Sequence, residues 1–263
     1  MILIAHRMLW LAVTCETCST RRCASLSKTS MKIVSDKPPT GAPLLAWVAA
    51  AFFGVVAPAA AMLLLADAVP TPPLSGLGGA LLAVGLMGVG MIGAAAAGSL
   101  GVAVGLALLA GASLGVLANA LGMASLAHPF TTIFAGIVAS ISFAARGALF
   151  ARSAANKGWW IAVFVVMGEV SILGTAMAMP DVLPGWLLAL LPAQWASVAI
   201  HSALSGSGPL AASAPLIALM GTAAATLMVA RLWPRRWPYA IMFTTWLGCS
   251  ALVWHWPAGT SLH

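Results

Sequence analysis

Glu169 has the clearest potential for chemistry in this sequence, because it is an acidic residue inside a long apolar run. The run extends from Gly158 to Met179, and Glu169 lies eleven residues into it, about 16 Å along a helix. A carboxyl at such a depth in a membrane is costly, and groups of this kind usually face a cavity or the interior of a helix bundle. We expect Glu169 either to carry protons or bind a cation, or to order the bundle through a structural hydrogen bond.

A polar stripe on a later apolar segment is the second candidate. Gln194, Ser197 and His201 follow one another at spacings of three and four residues, so they lie on one side of a helix. A proline just before the stripe loosens that helix. Broken helices with a polar side, opposite an intramembrane carboxyl, are typical of transporter sites. We predict a substrate or proton site that contains this stripe and Glu169, with Asn119 as a further member.

A catalytic serine is the third candidate, and it depends on Ser113 and His201. The letters GASLG at residues 111–115 match the nucleophile elbow of hydrolases, but that elbow needs a strand-to-helix turn and these residues lie inside an apolar run. A serine in a glycine-rich membrane helix, with a histidine on a later segment, resembles the intramembrane serine proteases of the rhomboid type. Leu114 interrupts the Gly-x-Ser-Gly order of those proteases. Helix packing explains these residues better than catalysis, and we favour a non-enzymatic role.

Residues 105–150 contain, in order, a small-residue helix, Asn119, Pro129-Phe130, two threonines and Arg146-Gly147. This order resembles a segment of the ribose and branched-chain amino-acid type of ABC permease. The segment covers less than a fifth of the chain, and the later cytoplasmic loop that docks the ATPase in such permeases has no counterpart in this sequence. The resemblance implies a role in transport.

The histidines and cysteines do not predict a cofactor. The N-terminal segment holds three cysteines and one histidine, namely Cys15, Cys18, Cys23 and His6. They could complete a four-ligand zinc site only if this segment folds, and we expect a disordered tail instead. A bis-histidine haem needs two histidines at matching depth on facing helices, and the sequence indicates no such pair. We predict neither a cofactor nor a metal.

The elements that position these residues are membrane helices. The chain has 263 residues, of which 62% are hydrophobic and only 6% charged, whereas soluble domains have about 25% charged residues. The apolar runs are continuous, unlike the alternating strands of a transmembrane barrel. We therefore predict an all-α polytopic membrane protein with seven or eight transmembrane helices. The predicted spans are 42–66, two helices within 77–123, 130–150, 158–179, 210–230 and 238–256, with 182–204 as an ambiguous apolar segment.

Basic residues predict the orientation. Residues 1–37 form a basic tail, with Met31 as an alternative natural start, and residues 38–263 form a single transmembrane domain. Two further basic groups flank apolar runs: Arg146, Arg152 and Lys157, then Arg231, Arg235 and Arg236. If 182–204 does not cross, the positive-inside rule places all three groups in the cytoplasm and the C-terminus outside. We favour seven spans with a re-entrant or interfacial segment over eight spans, in the inner membrane of a bacterium, with a cytoplasmic N-terminus.

Glycines mark the second and third spans, which we predict to form a tight hairpin with its turn at Gly98-Ser99. Small residues recur there at helical spacing, at Gly93, Gly101, Gly105, Gly111 and Gly115. Such residues allow helix backbones to approach closely in lipid. The expected partners are the lipid bilayer and other membrane subunits. The positive net charge lies beside membrane spans, which excludes nucleic acid as the expected partner.

Together these patterns favour an integral inner-membrane protein that is a transport or permease-like component, with an intramembrane carboxyl at Glu169. The first alternative is a non-catalytic accessory or assembly subunit of a larger membrane complex, because the loops are too short to form a soluble domain. The second alternative is an intramembrane enzyme that uses Ser113 and His201.

Overall fold

A computed structural model describes residues 44–68, 74–124, 128–154, 157–179, 182–206, 212–232 and 237–255. The predicted basic tail, its cysteines and Met31 lie outside the described residues. Within these ranges the chain forms nine helices and no strand. The helices are α1 (44–68), α2 (74–97), α3 (Leu100–Ala120), α4 (Pro129–Ala154), α5 (Gly158–Ala178), α6 (Gly185–Ala189), α7 (Pro192–Ser205), α8 (Ser213–Leu232) and α9 (Trp237–His255).

Six of the described helices are long and apolar enough to cross a membrane, namely α1 to α5 and α8. The chain is therefore an all-α, multi-pass integral membrane protein, as its composition predicts. Helix α9 has 19 residues and reaches about 28 Å, so it has the length, although not the hydropathy, of a further span. Six helices qualify as spans, and the predicted count of seven or eight stays a prediction.

The hairpin of α2 and α3 turns at Gly98, as predicted. Helix α2 ends at Ala97, and Gly98 adopts a φ of +64°, a left-handed conformation that glycine reaches without strain. Ser99 is extended, and α3 begins at Leu100. The 47-residue apolar run from Leu77 to Met123 therefore holds two antiparallel helices, because one glycine reverses the chain.

α1 and α2 each contain a π-helical turn, at Phe52–Val56 and at Gly88–Ile92. The two turns pack against each other with almost no space between their backbones. A Cβ atom at Gly88 would lie 2.6 Å from the carbonyl carbon of Phe53. Glycine is therefore required there by the close approach of the two helices.

We call the end of the bundle that carries Arg152, Lys157 and Arg231 the basic end. Near it, Leu149 of α4 packs with Val229 of α8 and Tyr239 of α9. Arg152 donates a hydrogen bond from its Nη1 atom to the carbonyl of Ala230. Because α8 and α9 are antiparallel, with Gly221 beside Cys249, the C-terminus of α9 lies at the opposite end.

Helices α6 and α7 form a re-entrant segment that enters and leaves at the end opposite the basic end. Gly185, at the start of α6, lies beside the ring of Trp254 near the C-terminus of α9. His201, in the last turns of α7, packs against Gly79 near the start of α2. The break between α6 and α7 projects into the bundle between these two points. This geometry agrees with the preferred interpretation of 182–204 as a segment that does not cross.

Trp195 joins the two halves of the re-entrant segment. Its side chain is fully buried, and its Nε1 atom donates a hydrogen bond of 2.8 Å to the carbonyl of Ala189 at the end of α6. Carbonyls at a helix C-terminus have no partner within the helix, and lipid offers none. Helix α7 itself is mostly buried, since it packs against α2, α4 and α8. The broken segment is thus held by protein on most sides.

Candidate functional site

A cavity of about 340 Å³ lies at the tip of the re-entrant segment. Its lining combines two charged side chains, Arg146 and Glu169, with apolar residues from four helices and the break. The apolar lining residues are Ile172, Leu187, Leu190, Leu191, Pro192 and Trp246. Glu169 and Trp246 each lie near the middle of their own helices, α5 and α9. The cavity therefore lies at about half the depth of the bundle.

Glu169 caps the N-terminus of α7. The Oε2 atom of Glu169 accepts a hydrogen bond of 2.9 Å from the backbone N–H of Ala193. The first residue of α7 is Pro192, which has no N–H, and the N-cap residue Leu191 has no side-chain acceptor. A helix N-terminus also carries a partial positive charge. A carboxylate from α5 thus satisfies a helix end that its own sequence leaves without a cap.

Arg146 lies inside the bundle, so its grouping with Arg152 and Lys157 as residues that flank a span is wrong. Helix α4 continues for two further turns to Ala154, so Arg146 is not at its end. The Nη2 atom donates to Ser142 Oγ at 3.4 Å and to Thr222 Oγ1 at 3.3 Å. The guanidinium carbon lies 5.7 Å from the centroid of the Phe143 ring, a cation–π distance.

One nitrogen of Arg146 remains unpartnered. The Nη1 atom is buried and has no hydrogen-bond partner. Arg146 and Glu169 therefore line one cavity and carry opposite charges when ionised, while the hydrogen bonds of each side chain go to other groups. In a medium of low dielectric constant two such charges influence each other strongly without a direct bond. The arrangement places an arginine and a glutamate on the wall of one cavity.

The predicted polar stripe does not line this cavity. Gln194, Ser197 and His201 lie along α7 beyond its N-terminus, and none of them is among the lining residues. Ser197 is buried, whereas the other two are half-buried. The Nδ1 atom of His201 is buried without a hydrogen-bond partner. Asn119 is exposed in the last turn of α3. The structure joins Glu169 to the start of α7 and leaves the stripe elsewhere.

The structure does not show the serine and histidine of the enzyme hypothesis in contact. Ser113 is exposed on α3, and its Oγ atom donates a hydrogen bond of 2.9 Å to the carbonyl of Leu109 in the same helix. His201 lies on α7 against Gly79 of α2. Hydroxyl groups of serine commonly bond the preceding turn in this way inside helices. The enzyme hypothesis stays a prediction and gains no support from these positions.

Arg146, Thr222 and Trp246 are the site residues that the sequence did not indicate. Arg146 was grouped with the basic residues beside the span because it lies only four residues before the end of the predicted span 130–150. The second arginine on the same helix, Arg152, was the available signal, since it lies in the last turn of α4. No sequence signal points to Thr222 or Trp246, because their roles depend on which helices pack together.

Among the residues that the structure describes, no group of three or more His, Cys, Asp and Glu side chains could hold a metal ion. The prediction of no metal and no cofactor stays a prediction. No family model, no curated protein and no solved structure matches this chain. Its class is that of an all-α, multi-pass integral membrane protein with a charged cavity at mid-depth.

Proposed function

We propose that the protein is a transport or permease-like component of the bacterial inner membrane, in which a small solute or protons pass Glu169. The observation that carries this proposal is the meeting of Glu169, Arg146 and the N-terminus of a re-entrant helix in one cavity. Re-entrant backbone at membrane depth is tolerated where it is buried in protein or lines a cavity. Ionisable groups at that depth are generally functional.

The carboxylate of Glu169 connects occupation of the cavity to the position of the re-entrant segment. It accepts the Ala193 N–H, and it faces the same space as Arg146. A proton or a cation on Glu169 weakens a hydrogen bond that depends on negative charge, because charge-assisted bonds are roughly twice as strong as neutral ones. The N-terminus of α7 is then released from α5. Such a coupling lets a bound solute or proton change access to the cavity.

The proposed orientation has a cytoplasmic N-terminus and a cytoplasmic basic end. Arg152, Lys157 and Arg231 all lie at or near the basic end, at the ends of α4 and α8 and between α4 and α5. Basic residues accumulate on the cytoplasmic side of membrane proteins. The re-entrant segment would then open towards the outside of the cell.

Proton flux into liposomes tests the proposal. Purified protein is reconstituted with a pH-sensitive dye inside, and an imposed membrane potential drives protons. Glu169→Gln should abolish the flux, because the amide cannot ionise. Asp67→Asn is the matched control, since Asp67 is an exposed carboxyl near the end of α1, and this variant should retain the flux.

Folding has to be controlled in this experiment, because Glu169→Gln also leaves Arg146 without its counter-charge. The double variant Glu169→Gln/Arg146→Gln removes both charges together, and a single symmetric gel-filtration peak shows that it folds. Flux that survives in the folded double variant, or a parent protein that passes neither protons nor solutes, would overturn the transport proposal.

The accessory-subunit alternative is favoured by one observation. Gly101 and Gly105 are exposed on the outward side of α3, and a Cβ atom at Gly105 or Gly115 would meet nothing within 4 Å. Gly93 and Gly111 instead pack within the chain, against Ala103 and Leu86. Small residues on an outward helix side allow another membrane helix to approach. If this role is correct, a stoichiometric subunit should co-purify with the parent and be lost from a folded Gly105→Phe variant.

A further inference from the structure

We propose that the cavity between Arg146 and Glu169 binds a zwitterionic group, with one ammonium and one carboxylate or phosphodiester. This rests on the proposed transport function and names the chemical class of its solute. The ammonium would pair with Glu169, and the anion would pair with the Arg146 side chain. Neither residue belongs to the polar stripe, so the binding groups are a guanidinium and a carboxylate that face one space.

Hydrogen-bonding capacity supports this assignment. The two hydrogen bonds that the Arg146 guanidinium donates, to Ser142 and Thr222, are long at 3.4 and 3.3 Å, so much of its donor capacity is unused. An anionic group is the strongest acceptor for such a donor, since guanidinium bonds to carboxylates and phosphates are charge-assisted and can be bidentate. Glu169 accepts the Ala193 N–H at its Oε2 atom, and a carboxylate has further lone pairs for a second donor.

Charge balance selects a zwitterion over a simple ion. In their ionised forms Arg146 and Glu169 carry opposite charges, and the lining is then neutral as a pair. A ligand with a single charge would leave one net charge in a medium of low dielectric constant, which is strongly unfavourable. A ligand that carries both charges pairs with both side chains and leaves none in excess. A neutral ligand without charges would leave Arg146 and Glu169 with weaker partners than they can use.

The apolar residues of the lining indicate the size and polarity of the rest of the ligand. Ile172, Leu187 and Trp246 are apolar, and the cavity volume of about 340 Å³ lies at the lower end of the range for small-molecule sites. In the described part of the chain, α5 and α9 flank the cavity without extensive packing against each other. Two sources therefore present the required chemistry. One is a free amino acid with an aliphatic side chain, and the other is the ethanolamine headgroup of a phospholipid whose chains leave between α5 and α9.

Binding to protein in lipid nanodiscs tests the proposal and separates the two sources. The first arm uses nanodiscs of phosphatidylglycerol alone and measures radiolabelled leucine, with 3-methylbutylamine and 4-methylpentanoate as competitors that each retain one charge. The second arm compares thermal stability in phosphatidylglycerol with that in phosphatidylethanolamine. We expect leucine to bind about tenfold or more tightly than either singly charged analogue, or ethanolamine lipid to stabilise the protein.

Both charged residues should be required. Glu169→Gln and Arg146→Gln should each weaken the zwitterion about tenfold or more, and Arg146→Lys, which retains the charge, should weaken it less. Asp67→Asn and Arg152→Gln are matched controls outside the cavity and should change binding less than about twofold. The proposal would be overturned if a singly charged analogue bound as tightly as leucine and phosphatidylethanolamine did not raise the thermal stability. It would also be overturned if the Glu169 and Arg146 variants kept the leucine binding or the lipid stabilisation of the parent protein.

The proposed function and this inference can fail separately. If Glu169-dependent proton flux is present while neither zwitterion binds, transport stands and the zwitterion is excluded. If a zwitterion binds with the expected dependence on both residues while liposomes show no flux, the binding site stands and transport is excluded. A variant that does not give a single gel-filtration peak is replaced by the charge-retaining Arg146→Lys or by Glu169→Asp, whose reduced binding is expected to be intermediate.

Discussion

Glu169 and Arg146 should be energetically coupled, and a double-mutant cycle measures that coupling. Glu169→Gln leaves the Arg146 cation in the cavity without its counter-charge. Breaking one side of a directly bonded buried pair costs about 3–5 kcal/mol in soluble proteins. A smaller cost is expected here, because Arg146 and Glu169 are not directly bonded and Arg146 keeps its bonds to Ser142 and Thr222 and its contact with Phe143.

The hydrogen bond to α7 adds a second contribution. Glutamine at position 169 can still accept the Ala193 N–H through its amide oxygen, so this bond becomes weaker without being lost. Glu169→Ala leaves that N–H unsatisfied in a buried position, which costs a further 1–3 kcal/mol or so, on the order of one buried hydrogen bond. Alanine should therefore destabilise the protein more than glutamine.

The double variant distinguishes charge coupling from general damage. Glu169→Gln/Arg146→Gln removes both charges, so its cost should be smaller than the sum of the two single costs, with a coupling of about 1–3 kcal/mol. Unfolding in mixed detergent micelles, followed by tryptophan fluorescence, provides the free energies of unfolding. The pair Asp67→Asn and Arg152→Gln should be additive within about 0.5 kcal/mol, because these residues lie in different helices without a shared partner. Additive costs at Glu169 and Arg146 would refute the shared cavity.

Three other outcomes are expected. Trp195→Phe should destabilise the protein by about 1–3 kcal/mol in the same unfolding assay, because the buried carbonyl at the end of α6 loses its donor; an unchanged stability would contradict the bond. Gly88→Ala should lower the thermal midpoint, since its Cβ would overlap the backbone of α1, whereas Gly105→Ala faces open space and should not; equal effects would contradict this packing. In a cysteine-free background, Ser205→Cys should react with an impermeant reagent from outside the cell and Lys157→Cys only from the cytoplasm, and the reverse pattern would refute the orientation.

The helical fold could be predicted well from the sequence because hydrophobic length alone defines a membrane span. The turn at Gly98-Ser99 was predictable for the same reason, since 47 apolar residues are too long for one span and a glycine can reverse the chain there. The six helices that satisfy span length and hydropathy correspond to predicted spans. The segment 182–204 remained ambiguous because its composition fits both a crossing and a re-entrant path. Its packing beside Trp254 and Gly79 decides the path, and that information is tertiary.

The candidate site could be predicted only in part. Glu169 was evident because a charge inside an apolar run is conspicuous. Arg146 was placed at the wrong depth, because its partner Thr222 is 76 residues away in the chain and no local pattern connects the two. The polar stripe was inferred from spacing on α7, but the group that meets Glu169 is the backbone N–H of Ala193. A backbone N–H gives no signal in a sequence. The one local indication is Pro192, which lacks an N–H, so that the N–H of Ala193 is the first free donor of α7.

The combination of charges in this cavity exceeds what structure alone requires. An acceptor for the N-terminus of α7 need not be charged, because serine, threonine and asparagine cap helices as well as aspartate does. Glu169 supplies a full charge instead, at a depth where each charge is costly, and Arg146 supplies the opposite one. A buried ion pair contributes little net stability compared with apolar residues of similar volume. Moreover, Arg146 Nη1 has no partner, so this pair does not satisfy its own donors. The proposed binding of a doubly charged group, or the proposed proton transfer at Glu169, accounts for the two charges.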